Sequence, residues 1–274
     1  MIVRIVLVFG IVTTLVGCGG GNDGRRTVVA AFYPLTYAAE KIGGPSFDVH
    51  NLTPPGAEPH DLELTPREVA RIQQAGVVLY LSHGFQPAVS KAVADARGIR
   101  LDVLAGLPLH GNDPHVWLDP VLFARIGRRI GSALRRSSAG LSADLQQLDR
   151  DYRTGLRDCK RHEIVTSHEA FGYLAARYDL KQVAITGVTP EAEPTPRQLA
   201  HVIQVVRRTQ ATTVFFETLV SPRLADTVAR EVGARTAVLD PIEGLTPDEQ
   251  KRGDGYLTLM RQNLTALRKA LGCR

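Results

Sequence analysis

Leu64-Thr65-Pro66-Arg67-Glu68 and Pro194-Thr195-Pro196-Arg197-Gln198 are one phrase written twice in a chain of 274 residues. In each, a Thr stands where it can cap a helix, Pro takes the first helical position, and Glu or Gln follows three residues after the cap. That combination is a capping box, and it predicts a helix starting at Pro66 and another at Pro196. A β-rich run comes after each helix, Val77-Val78-Leu79-Tyr80-Leu81 in the first half and Thr213-Val214-Phe215-Phe216 in the second.

The repetition extends in both directions at an offset of about 136 residues. Val28-Val29-Ala30-Ala31-Phe32 leading to Tyr37 matches Ile164-Val165-Thr166-Ser167-His168 leading to Tyr173. Arg100-Leu101-Asp102-Val103-Leu104 matches Arg235-Thr236-Ala237-Val238-Leu239 as the last strand of each half. Strands that alternate with helices at this spacing imply parallel sheets with covering helices. The expected fold class is therefore α/β, with two similar lobes of that kind.

Between the halves, Leu145, Leu148 and Tyr152 recur at helical spacing in a segment otherwise rich in Asp, Gln and Arg. One long polar helix is expected to join the lobes. The boundaries read as an N-terminal lobe over 26–137, a linker helix over 138–158 and a C-terminal lobe over 159–274. A helical connection of this kind is stiff and limits hinge motion.

The beginning of the chain has a different character. Arg4 precedes an apolar stretch, Ile5 to Val16, that is too short for a permanent membrane span and reads as a secretory signal. It ends in Leu15-Val16-Gly17-Cys18, which resembles the lipobox of bacterial lipoproteins, so residues 1–18 are expected to be the signal segment with Cys18 lipidated. Gly19-Gly20-Gly21-Asn22-Asp23-Gly24 reads as part of a flexible tether over 19–25. Export leaves Cys159 and Cys273 in a compartment that permits disulfides, and they are expected to pair, with two unpaired buried thiols as the alternative. The composition is ordinary for a globular protein, at 44% hydrophobic and 22% charged. The net charge of +5 comes from Lys and Arg interspersed with Asp and Glu, which argues for solubility and against a nucleic-acid partner.

In open parallel sheets, ligands bind beyond the carboxyl ends of the strands. Four candidate ligands fall there. His60 precedes the first capping box, and His115 follows the last strand of the first half. His168 directly follows the first strand of the second half, and Asp240 its last. Two ligands from each half would meet in the cleft between the lobes, and three imidazoles with one carboxylate suit Zn²⁺. Glu217, at a strand end, is placed for a hydrogen bond in the cleft.

Several longer motifs resemble those of a known family. Pro55-Gly56-Ala57-Glu58-Pro59-His60-Asp61, Asp113-Pro114-His115-Val116-Trp117-Leu118-Asp119-Pro120, Thr166-Ser167-His168-Glu169-Ala170-Phe171-Gly172-Tyr173 and Leu239-Asp240-Pro241 are similar to signatures of zinc- and manganese-binding substrate-binding lipoproteins of ABC importers. The resemblance implies two α/β lobes bridged by a long helix, with metal held by His60, His115, His168 and Asp240, and it offers Glu58, near the first of these histidines, as a substitute for Asp240. It also implies an ABC permease and its ATPase subunit as partners, and an extracytoplasmic, membrane-anchored location. A His at position 168 favours Zn²⁺, because a carboxylate there would suit the harder Mn²⁺. The stretch ahead of His115 holds only His110, so a metal-collecting loop is not expected.

The expected mechanism is capture of hydrated Zn²⁺ by neutral imidazoles and a carboxylate, weakening below about pH 6.5 as the ligands take up protons. A zinc hydrolase is disfavoured because neither HExxH nor a nucleophile motif is present, so no enzyme activity is expected. The alternatives are a manganese-binding homologue and a surface adhesin-type lipoprotein. The protein is expected to be a monomer.

Overall fold

The computed structural model describes residues 26–190 and 192–274; the expected signal segment, Cys18 and the tether lie outside them. The first lobe runs β1 (Arg26–Ala30), α1 (Tyr33–Gly43), β2 (Phe47–Asn51), α2 (Pro66–Gln74), β3 (Val77–Tyr80), α3 (Pro87–Val93) and β4 (Ile99–Asp102). After α4 (Pro120–Leu134) and α5 (Ala139–Gly155), the second runs β5 (Glu163–Thr166), α6 (Gly172–Arg177), β6 (Lys181–Ala184), α7 (Pro196–Thr209), β7 (Thr213–Phe216), α8 (Arg223–Val232) and β8 (Arg235–Val238). α9 (Pro247–Arg252) and α10 (Tyr256–Leu271) complete the chain.

Each lobe holds a four-stranded parallel sheet, in the orders β2-β1-β3-β4 and β6-β5-β7-β8. The first strand of each lobe is central, so the connections diverge on either side of it. That switch point leaves a crevice at the carboxyl ends of the strands. The two expected capping boxes are formed, Thr65 with Glu68 and Thr195 with Gln198. A third, Thr246 with Glu249, starts α9. The edge strands β2 and β6 are additions to the sequence reading, since their mixed polar residues carry little strand signal.

The linker is α5, which turns Leu141, Leu145, Leu148 and Tyr152 inward and lies against α1, α4 and α10. Tyr152 is fully buried, and its hydroxyl donates to the Met260 carbonyl in α10 at 2.7 Å. The main core is continuous from the first lobe through α5 to α6 and α10. The second sheet alternates faces as a pleated strand must. Ile164 and Phe215 enter this shared core, while Val165 and Val214 enter a smaller one covered by α7 and α8. The lobes are therefore similar in topology but not independent in packing. Cys159 and Cys273, 114 residues apart in sequence, are joined in disulfide geometry and tie the end of α10 to the start of the second lobe. Among the described residues, no helix is long and apolar enough to cross a membrane.

Candidate metal centre

Three of the four sequence-assigned ligands converge, and the fourth does not. His60, His115, His168 and Glu243 each offer a ligand atom, and these atoms all lie within 4.8 Å of one another. Glu243 Oε1 is 2.9 Å from His115 Nε2, 3.4 Å from His60 Nε2 and 3.6 Å from His168 Nε2. The Nε2 atoms of His115 and His168 are 3.3 Å apart.

Asp240 is not in this group. It is buried, and its Oδ1 accepts from the Ile242 amide at 2.7 Å, three residues ahead of the carboxylate that does reach the site. The turn it closes carries Ile242 at φ 57°. A β-branched residue in the left-handed region is strained and persists only where its surroundings hold it. Here Trp117 donates its indole N–H to the Pro241 carbonyl at 2.7 Å. Asn263 brackets Asp240, accepting from its amide at 2.9 Å and donating to its carbonyl at 2.7 Å. The Leu239-Asp240-Pro241 motif thus builds the turn that aims Glu243. Asp240, whose carboxylate accepts from its own backbone turn, therefore stands outside the converging group, and Glu243 occupies the place expected for it.

The histidine rings are oriented from behind. Asp113 Oδ1 lies 2.7 Å from His115 Nδ1 and also accepts from the His115 amide at 2.9 Å. Glu217 Oε1 lies 2.6 Å from His168 Nδ1 and accepts from the Ser167 hydroxyl. A carboxylate on Nδ1 fixes the ring so that Nε2 faces the shared point. Phe85 lies edge-on to His60, with centroids 4.6 Å apart. The expected cleft hydrogen bond of Glu217 is thus present, and it is made to a site histidine. Glu58 accepts from the His60 amide at 3.0 Å and stands beside the group without joining it.

These contacts set the charges. Burial opposes protonation of His168, but the carboxylates of Glu217 and Glu243 outweigh it and lift the ring to about 10. His115 is raised in the same way, Asp113 and Glu243 overcoming its burial. Burial works against ionised Glu243 as well, yet the three surrounding imidazoles, with His115 in hydrogen-bond contact, hold it well below the ordinary carboxylate range. Glu58 is pushed up to about 8 by burial and by the Glu243 charge, and Asp240 to about 7, chiefly by burial. The carboxylates around His115 and His168 thus favour the charged form of both rings in the metal-free fold. A cation entering the centre therefore competes with the His168 proton at a higher pH than the reference value of about 6.5. His60 Nε2 and Glu243 Oε2 are buried without a hydrogen-bond partner among the described residues. One buried nitrogen and one buried carboxylate oxygen left without partners, beside two further imidazole nitrogens that converge on the same point, match the chemistry of a four-coordinate zinc centre.

Two parallel-sheet lobes around a helix, with converging imidazoles and a carboxylate at their facing strand ends, define a metal-capturing solute-binding protein of a transporter, not an enzyme. Residues 28–270 match the family model described as zinc-uptake complex component A, periplasmic, and the chain belongs to that family. The high-affinity zinc uptake system protein ZnuA of Bacillus subtilis (strain 168) is 35% identical, across 93% of this chain and 90% of that protein. The zinc-binding lipoprotein AdcA of Streptococcus pneumoniae (strain R6) is 33% identical across 93% of this chain, which spans 58% of that longer protein. Among solved structures, the Zn(II)-bound ZnuA-like domain of S. pneumoniae AdcA superposes with a TM-score of 0.78 at 32% identity, covering 90% of this chain and 99% of that one. The laminin-binding protein Lmb of Streptococcus agalactiae, described as having adhesin and metal-transporting activity, gives a TM-score of 0.82 at 28% identity, covering 90% and 99%.

Proposed function

We propose that this protein captures Zn²⁺ with His60, His115, His168 and Glu243 and delivers it to an ABC permease and its ATPase subunit. The observation that carries this reading is the convergence of three imidazole nitrogens and one carboxylate oxygen within 4.8 Å. Four donors of this kind favour zinc over Mn²⁺, which prefers more oxygen ligands. As cargo, zinc arrives hydrated, exchanges water for the four protein donors and displaces the His168 proton. The hydrolase chemistry of an open zinc site has no counterpart here, because the donor set is complete without water.

The finer assignments belong to the same proposal. The mature chain is a monomer anchored to the extracytoplasmic face of the membrane through lipidated Cys18, with residues 1–18 as its signal segment and 19–25 as tether. The lobes span 26–137 and 159–274 around the 138–158 linker, and the Cys159–Cys273 disulfide forms after export. The test is a competitive titration of the chain lacking residues 1–18 with Zn²⁺ and Mn²⁺. Tight one-to-one zinc binding that collapses in His168→Ala is the expected result. Preference for Mn²⁺ would overturn the metal, and indifference to His168→Ala would overturn the site.

A further inference from the structure

A cavity of about 440 Å³ lies where the two lobes meet, outside the metal centre. One face of α1 supplies Tyr33, Tyr37 and Glu40, and the chain after β2 supplies Pro54 and Pro55. Leu245 and Asp254 close it from the second lobe. The tyrosine rings are buried walls with centroids 6.4 Å apart, while Glu40 and the prolines form an exposed rim. Asp254 is paired with Arg252 at 2.8 Å. Among the described residues, Glu40 enters no salt bridge. Partial burial raises its carboxyl above the ordinary range. Lys41 already holds its ammonium 5.9 Å from the Tyr37 ring, which leaves Tyr33 and Glu40 to meet a second cation.

An aromatic wall, an unpaired carboxylate and a proline–leucine lining fit one chemistry, a cationic head on an aliphatic arm. We propose that this cavity binds an alkylguanidinium or alkylammonium group, and that its occupancy loosens the metal centre. The coupling rests on the zinc reading above and on continuity of backbone. Pro54 and Pro55 lead directly into Gly56, whose amide donates to the Leu245 carbonyl across the lobe boundary at 2.8 Å. Gly56 sits at φ +83°, where an added Cβ would come 3.3 Å from Pro247. The same strand of chain reaches His60 four residues later, and Leu245 is two residues beyond Glu243. A group wedged between Pro55 and Leu245 therefore pushes on the segments that carry one metal ligand from each lobe.

The test uses two probes, agmatine and the capped tripeptide acetyl-Gly-Arg-Gly-amide, added to the metal-free and the zinc-loaded mature chain. Binding is followed by NMR, and zinc transfer to a chelator by absorbance. Saturable binding, zinc transfer accelerated several-fold, and binding weakened roughly fivefold by Glu40→Gln with zinc affinity unchanged are expected, the fivefold being the size of about 1 kcal/mol. Tighter binding of the tripeptide would identify the source as a side chain of a docked protein, and tighter binding of agmatine a free organic cation. No saturable binding of either probe, or binding indifferent to Glu40→Gln, overturns the site. Binding that leaves zinc transfer unchanged overturns the coupling. Absence of tight zinc binding in the unmodified chain would instead overturn the proposed function, and the metal-free NMR arm separates that outcome from failure of the cavity.

Discussion

Exchanging Glu243 for Gln and Asp240 for Asn, one at a time, separates the ligand that the sequence pattern suggests from the one that the geometry supplies. Glu243 is the only carboxylate among the four converging groups and is about 1% exposed. With Gln there, three neutral imidazoles would face a buried dication without an anionic partner. Leaving a buried charge uncompensated costs about 3–5 kcal/mol. At 1.4 kcal/mol per decade, zinc affinity should fall by roughly two to nearly four orders of magnitude. Asp240→Asn keeps an oxygen that can accept from the Ile242 amide at the present 2.7 Å, so affinity should stay within about threefold of the parent. Competition against a chelator of known affinity gives both numbers, and circular dichroism verifies that each variant folds. Loss of zinc binding in Asp240→Asn with little change in Glu243→Gln would refute the assignment, and with it the role given to the Ile242 turn.

Zinc affinity should rise with pH well above 6.5. His168 in the metal-free fold titrates near 10, so below that value zinc must displace its proton, and apparent affinity should gain about tenfold per pH unit between 7 and 9; a plateau above pH 6.5 would contradict this. The same shift has a consequence for stability. His168 and Glu58 both hold protons in the fold more tightly than in the unfolded chain. The metal-free melting temperature should therefore fall as pH rises, through the window from 4.5 to about 8 for Glu58 and from 6.5 to about 10 for His168. Glu217→Gln and Asp113→Asn should each weaken zinc binding about 10–100-fold without abolishing it, as measured by the same competition, since each orients a ligand through Nδ1. Cys159→Ser with Cys273→Ser should lower unfolding free energy by about 2–5 kcal/mol in urea melts and leave zinc affinity unchanged, because the bridge lies at the far end of α10 from the site.

The architecture was legible because the repeated Thr-Pro-x-Glu/Gln box fixes helix starts through side-chain hydrogen bonds three residues apart, which short-range sequence encodes directly. The three histidines were legible because His60 stands just ahead of a capping box, His168 directly follows the apolar run of β5, and His115 comes after the last strand of its half. Glu243 was not, for a physical reason. Its direction depends on a left-handed Ile242, a conformation that no local preference of Ile predicts and that Trp117 and Asn263 impose from distant elements. A signal was nonetheless present. Leu245-Thr246-Pro247-Asp248-Glu249 is a third copy of the capping phrase, and Glu243 stands just ahead of it as His60 stands ahead of the first. The shared core was hidden for a similar reason, since the two faces of β5 and β7 look equally apolar in sequence although they enter different clusters.

Release of a metal held between lobes ordinarily invites a hinge, and the contacts across this boundary argue against a wide one. Asp119 caps α4 with Oδ1, and its Oδ2 accepts both Nε and Nη2 of Arg177 from α6, at 2.9 and 2.6 Å. Tyr173 donates to the Asp113 carbonyl at 3.0 Å and accepts from the His110 amide at 2.9 Å, while its ring stacks on His110. Tyr256 donates to the Trp117 carbonyl, and Trp117 in turn to Pro241. Separating the lobes would break all of these and split a continuous apolar core. Shifting the loop that carries Glu243 would leave that core and the Asp119–Arg177 and Tyr173 contacts in place, and the loop carries the strained, left-handed Ile242. Zinc should therefore leave through local displacement of that loop while the lobes stay together. Small-angle scattering should accordingly give the same radius of gyration with and without zinc, and a domain-scale expansion of the metal-free protein would show the hinge to be real.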